Sequence, residues 1–396
     1  MTALAARVPA PRPPAVEDPP VVIFADREPW ESFAQFAAAL RRRGIRVERL
    51  TARDRPPVRR VNDLLQRSIF PRIRPVLRFT DGGRLLLGDL PAHLPPGIRA
   101  WEAVDAVAAS VVGSGMLPPR TPEPAVEALL FDKLAMTRHA AGQGIPVPGS
   151  WAAEDDHPLR PPFLVKPRLG SGGEGVEVVT SEEDAARIRR RARAHAGVLM
   201  VQEWAPGELL HVGGVARGGS VVQAACYRAV GRPSAAFGPS TEVLTLDDPE
   251  TLEQTATLMR SLGYTGAFCL DLVRDAAGTA LLVDVNARIF GSWAVMQAAG
   301  MDVVGAYLWA HGLSAAPPSG AVPAGRRLRI LPPDMSLRGP SLASAVRAHL
   351  IGIAQGARVL GPRWVVSVGV RLACALLVQA VRRPAGRLRG FRKDAR

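Results

Sequence analysis

From Val21 onward, short apolar runs alternate with amphipathic stretches. The segment PPVVIFADREPWESFAQFAAALRRRGIRVERL reads as a buried strand (Val21–Ala25), an amphipathic helix, Gly44 as its C-cap, and a second strand at Ile45–Arg49. That succession opens a βαβ sheet. Strand-like VLRF and RLLL flank a turn at Asp81–Gly83, and AVDAVAASVVGSG reads as a further buried segment of the same unit. The proline cluster LPPRTPEP (117–124) marks a junction.

Beyond it the pattern predicts a helix from Pro124 to about Gly142, a hairpin over Phe163–Val179, and a helix over Ser181–His195 opened by a Ser-x-x-Asp cap. The stretch VLMVQEWAPGELLHVGGVARGGSVVQAACYRAV alternates strands and glycine turns, as an antiparallel sheet does. A helix near Asp248–Leu262 then precedes two apolar strands, GAFCLDLVRD and TALLVDVNAR, joined by a short turn at Ala276–Gly278.

Composition adds three constraints. With 396 residues and 47% hydrophobic content, the chain can bury a core spanning two or three domains. Its three cysteines (Cys226, Cys269, Cys374) are widely spaced, which argues against a disulfide framework or zinc site and fits a reducing cytoplasm. The net charge of +14 is localised: residues 326–396 hold 15 lysines and arginines against Asp334 and Asp394. The rest is nearly balanced, so the basic pI does not argue for nucleic acid. Residues 1–19 lack an apolar core and are rich in proline, as a flexible leader is.

Only three of the 50 basic residues are lysines, and two of them, Lys133 and Lys166, fall in the motif-like contexts FDKLAM and FLVKP. A compact ammonium suits a phosphate. Lys166 is followed by Gly170, Ser171, Gly172, Gly173 and Gly175, which match G-x-G-x-x-G. In a P-loop the lysine follows the glycines, and in a dinucleotide fold a helix follows them. Here the lysine comes first and the strand-like VEVV comes after, which leaves a flexible hairpin able to cover a triphosphate. Farther on, Asp284 and Asn286 share one strand face, and Asp271 can lie opposite them across the turn. Two carboxylates and an amide oxygen are hard ligands, which select Mg2+ or Mn2+ over zinc. Arg288 lies on the same face, available to an acidic substrate group or to a salt bridge with these acids. His139 and His211 read as lone structural histidines.

These pieces in this order (the DK helix, the VKP strand, the glycine hairpin, QEW-x-PGE and D…D-x-N-x-R) resemble the ATP-grasp superfamily, within it most closely the carboxylate–amine, carbamoyl-phosphate-synthase-like ligases. The resemblance covers roughly residues 125–300. It implies an α/β fold of α+β ATP-grasp type: an N-terminal Rossmann-like βαβ domain over residues 20–118, a two-lobed ATP-grasp domain over 119–315 with lid hairpin 163–179 and metal hairpin 267–290, and a basic helical C-terminal region over 316–396. It further implies Lys133 and Lys166 on the ATP phosphates, the Gly170–Gly175 loop as lid, Gln202, Glu203, Trp204 and Ala205 beside adenine, and Glu208 on the ribose. Asp271, Asp284 and Asn286 would hold Mg2+, and Arg288 would steady an acylphosphate. Asp284 stands where many members have the longer Glu. The implied activity is ADP-forming ligation of a small carboxylate, activated as an acylphosphate, to an amine or similar nucleophile. The rival expectation is an ATP-binding regulatory or scaffold protein without turnover.

In the tail, Arg363, Ser367, Arg371, Gln379 and Arg382 fall on one side of a helix whose remainder is aliphatic. Such a helix either docks on the enzyme body or lies on an anionic membrane surface at the inner face.

Overall fold

The computed structural model describes residues 19–330, apart from 27–30, 54–66, 68, 81–84, 89, 171–172, 174, 232–239 and 241. The leader, the Asp81–Gly83 turn, Ser171, Gly172 and the amphipathic tail helix therefore lie outside the described residues.

The first strand, β1 (Val21–Asp26), is buried at all six positions. It sits inside a sheet, flanked in parallel by β2 (Arg46–Ala52) and β5 (Ile98–Ala103), while β3 (Arg72–Phe79) and β4 (Leu85–Leu86) extend the β2 side. A strand covered on both faces has no need of polar alternation, hence VVIFAD. Helix α1 (Glu31–Arg42) buries Phe33, Ala34, Phe36, Ala37 and Leu40, and ends with Arg41 and Arg42 where cations suit the helix dipole. Gly44 follows in the left-handed conformation (φ 81°). The apolar segment at 103–115 forms a helix, α2 (Asp105–Val111), leading away from β5.

The helix expected from Pro124 to Gly142 is two helices, α3 (Pro124–Leu129) and α4 (Lys133–Gly142). The break has a local cause. Asp132 caps α4, its carboxylate accepting from the amides of Leu134 and Ala135 at 3.1 Å each, so Lys133 becomes the first residue of a new helix.

Two antiparallel sheets follow. One has β6 (Ser150–Ala152), β9 (Leu199–Glu203), β7 (Phe163–Pro167) and β8 (Glu177–Val179) in that order. Helix α5 (Glu182–Ala194), capped by Ser181, packs on it through Ala185, Ile188 and Ala192. The other has the order β14 (Ala280–Asn286), β13 (Gly266–Arg274), β10 (Glu208–Arg217), β11 (Ser220–Gly231), β12 (Glu242–Leu246) and β15 (Arg327–Arg329). Helix α6 (Pro249–Leu262) buries Leu258, Met259 and Leu262 against this sheet. Thus the opening residues of the basic region, Arg327–Arg329, form an edge strand.

The parallel sheet shares its core with the large antiparallel one. Phe36 of α1 meets Trp293 and Tyr307 edge-on, each 5.0 Å between ring centroids, and these two rings sit on α7 (Trp293–Ala299) and α8 (Val303–Ala310). At the end of β1, Asp26 accepts three hydrogen bonds of 2.7–3.2 Å from Arg49 on β2, with both side chains about 1% exposed. Removing one partner of such a pair strands a charge in a low-dielectric interior, a cost of about 3–5 kcal/mol. Asp26→Ala should lower the urea midpoint accordingly. An unchanged midpoint would mean that the pair does not hold the sheet.

Candidate active site

The cleft lies between the two antiparallel sheets, and Lys166 crosses it. Lys166 stands on β7, where its Nζ donates to Gln202 Oε1 (3.0 Å) on neighbouring β9 and to the Val283 carbonyl (2.8 Å) on β14 of the opposite sheet. Burial depresses its pKa to about 8, even though Asp284 favours the charged form. Lys133 enters from the N-terminus of α4 and donates to both Asp284 oxygens, at 2.5 and 2.6 Å. Burial acts to lower the Lys133 pKa, but the Asp284, Asp105 and Asp271 carboxylates together outweigh it and the net shift is upward.

The two lysines are held relative to each other by a link the sequence did not signal. The Arg168 guanidinium, two residues past Lys166, pairs with Asp132 (Nε to Oδ1 3.1 Å), and the Lys133 amide donates to the Arg168 carbonyl at 3.0 Å. The cap of the Lys133 helix is therefore tied to the end of the Lys166 strand.

The hairpin β13–β14 has the register expected of it. Asp271 lies opposite Asp284, and Cys269 opposite Asn286. Asn286 Nδ2 donates to Asp271 Oδ2 at 3.3 Å, while its Oδ1 accepts from Arg288 Nη2 at 2.8 Å. Arg288 also reaches the parallel sheet. Its Nε donates to Asp105 Oδ1 at 3.2 Å, so the parallel sheet supplies a carboxylate to the cleft from the first turn of α2, beyond the end of β5. Asp105 lines the same pocket as Lys133, Thr137, Gly170 and Asp284. Sequence reading missed it because nothing local distinguishes it from a helix-capping acid.

His211 is a correction. Read as an isolated structural histidine, it lies directly opposite Asp271 in the β10–β13 ladder, with Nδ1 2.7 Å from Asp271 Oδ1. Burial works against the charged form of Asp271, but the His211 hydrogen bond and the nearby cations hold its pKa below the usual carboxylate range. His139, by contrast, meets Ser261 at 2.9 Å between α4 and α6.

Asp271, Asp284 and Asn286 offer three hard oxygen donors on one patch, and a cation, the Lys133 ammonium, already lies against Asp284. This chemistry fits a divalent ion of the Mg2+ or Mn2+ type.

The glycine loop joins β7 and β8, which pair antiparallel from Phe163↔Val179 to Val165↔Glu177. Gly175 has φ 75°, and a Cβ there would lie 2.9 Å from the Pro167 ring, so the return strand needs glycine at this point. Gly170 and Gly173 have φ 137° and 75°. At the end of β9, Glu203 is exposed, and in the connection leading to β10 Trp204 is exposed and Ala205 half-buried. The Glu203 and Gly149 backbones pair through a 2.8 Å bond. Glu208 accepts from Arg228 Nη1 at 2.6 Å.

Residues 130–292 match the family model described as ATP-grasp domain. This segment is an ATP-grasp domain. Solved structures with the same fold include an L-amino acid ligase from Bacillus licheniformis (TM-score 0.55, 14% identity, 76% of this chain and 75% of that one). A carboxyaminoimidazole ribonucleotide synthase from Aspergillus clavatus complexed with ATP is also similar (0.57, 14%, 85% and 98%). So is the biotin carboxylase domain of 2-oxoglutarate carboxylase from Hydrogenobacter thermophilus, in complex with MgADP, ADP and bicarbonate (0.50, 16%, 74% and 70%). Among curated proteins none matches in sequence. Within the ATP-grasp domain and the other described residues, no helix is long and apolar enough to cross a membrane.

The depressed Lys166 pKa has a measurable sign in this domain. Between pH ~8 and the ordinary lysine value near ~10.4, the folded protein binds fewer protons than the unfolded chain. The desolvation penalty is then complete below pH 8 and fades as pH rises. Wild type should gain stability relative to Lys166→Met in denaturant titrations carried from pH ~7 to ~10. A pH-independent difference would show that the ammonium is not desolvated.

Proposed function

We propose that the chain is an ATP-dependent, ADP-forming carboxylate–amine ligase, with residues 20–118 preceding an ATP-grasp domain over 119–315. One observation carries this reading: two ammonium groups from different elements converge on the strand that bears Asp284, opposite Asp271 and beside a glycine hairpin. Neighbours with this fold include an amino acid ligase and a biotin carboxylase domain.

On this reading Lys133 and Lys166 bind the ATP phosphates and neutralise charge as the γ-phosphoryl group moves to a substrate carboxylate. Gly170–Gly175, with Ser171, Gly172 and Gly173, cover the triphosphate. Gln202, Glu203, Trp204 and Ala205 flank adenine, and Glu208 the ribose. Asp271, Asp284 and Asn286 would hold Mg2+, which supplies charge neutralisation between phosphates. Arg288, steered by Asp105, binds the acylphosphate until an amine captures it and phosphate leaves. The protein positions the reactants, and the lid keeps out water that would hydrolyse the intermediate. The tail's attraction to anionic lipid rests on the sequence of residues 331–396 alone.

In a screen of carboxylates with hydroxylamine as nucleophile, ADP and phosphate should appear together with a hydroxamate. Lys166→Ala should slow this by about 10²-fold or more, the scale of losing a group that stabilises developing charge. AMP release, or an undiminished rate in the variant, would overturn the mechanism, whereas nucleotide binding with no turnover of any carboxylate would leave a regulator.

A further inference from the structure

His211 holds one oxygen of a proposed metal ligand. The imidazole stands on β10, in register with Asp271 on one side and Tyr227 on the other. The Tyr227 ring packs against it, 5.4 Å between centroids and tilted by 33°, and Tyr227 is itself fixed by a 2.6 Å bond to Ser292. The far nitrogen, Nε2, meets Ser240 Oγ at 3.2 Å. An ionised carboxylate only accepts, so Nδ1 carries the proton toward Asp271, while the Ser240 hydroxyl holds the ring at Nε2. The result is a chain, Ser240–His211–Asp271, with the ring orientation fixed at three points.

The two oxygens of Asp271 are then unequal. Oδ1 is held by the 2.7 Å bond from His211, with the Cys269 thiol 4.0 Å away. Among the described residues, Oδ2 has the longer contact from Asn286 Nδ2, at 3.3 Å. Oδ2 is thus the oxygen left on the side where Asn286 lies. We propose that His211 is a positioning residue for the divalent-metal site: it ties up Oδ1, fixes the carboxylate rotamer, and presents Oδ2 alone to the cation. Partners of this kind, one shell out from the metal, commonly contribute 10–100-fold in affinity. His211, Cys269 and Asp271 also place a nitrogen, a sulfur and an oxygen within 4.8 Å of one another, so direct ligation by the imidazole is the competing outcome.

The inference rests on the ligase reading of this hairpin, and the experiment separates the two. Mn2+ uptake by the full-length protein in the presence of ADP is measured by EPR titration, with pulsed EPR for 14N coupling to the bound ion. His211→Leu should weaken Mn2+ binding by about 10–100-fold. His211→Asn, whose Nδ2 can donate close to where Nδ1 does, should stay within a few-fold of wild type. The wild-type spectrum should show no directly coordinated nitrogen from the protein. Metal-free thermal stability identifies any variant lost to misfolding, and the Asn variant then carries the comparison. Leu and wild type binding Mn2+ equally would overturn the positioning role alone. An Asn variant as weak as Leu, or a directly bound 14N, would replace it with ligation. Wild type that takes up no Mn2+ with ADP would overturn both this inference and the function beneath it.

Discussion

The contact between the Lys133 ammonium and the Asp284 carboxylate organises the rest of the site. It joins the first residue of a helix to a strand 151 residues later, and it places one half-buried cation against one half-buried anion. Pairing offsets part of the desolvation that each charge meets in the cleft. Asp132 and Arg168 extend the constraint, since the cap that starts the Lys133 helix is also the partner of the strand carrying Lys166. Lys166 completes it by donating across the cleft to the carbonyl beside Asp284. The geometry of the proposed phosphate site is thereby set by ion pairing within the protein itself.

The same principle explains how the parallel sheet takes part. Its core merges with that of the large antiparallel sheet through Phe36, Trp293 and Tyr307. That packing brings the carboxyl end of β5 to the end of the β13–β14 hairpin. Glu102, fully buried, accepts from the Ile289 amide at 2.7 Å, and burial pushes its pKa up. Asp105, one turn farther, receives Arg288. An open α/β sheet typically offers its ligand crevice at the carboxyl ends of strands where the order reverses, and here β1 and β5 form that switch. Two structural units thus contribute to one pocket, Asp105 from the parallel sheet and Lys133, Gly170 and Asp284 from the rest.

Much of this was legible in the residues. The lysine placed before the glycines, the strand after them, and the Asp271/Asp284 hairpin follow from local rules: a period of two along a strand, a short turn, a cap motif. Those rules fix which residues face the same way within about ten positions. They also fix the charge type and hardness of the donors, and so the class of metal and nucleotide chemistry. The break at Leu130–Asp132 was missed because the apolar period runs through it, and only the Asp132 cap, seen with Arg168, shows why one helix must become two.

What the sequence by itself determined was the set of elements and the chemistry available to them, because hydrophobic period and side-chain type act over short separations. What only the tertiary structure decided was which distant groups meet. His211 looked isolated because its partner lies 60 residues away and is reached through the β10–β13 register, which no local pattern encodes. Arg288 had two open readings from sequence, and the packing of two sheets gave it a third partner, Asp105. Long-range strand register and inter-sheet packing follow from burial summed over the whole core, and for that reason they were not legible one segment at a time.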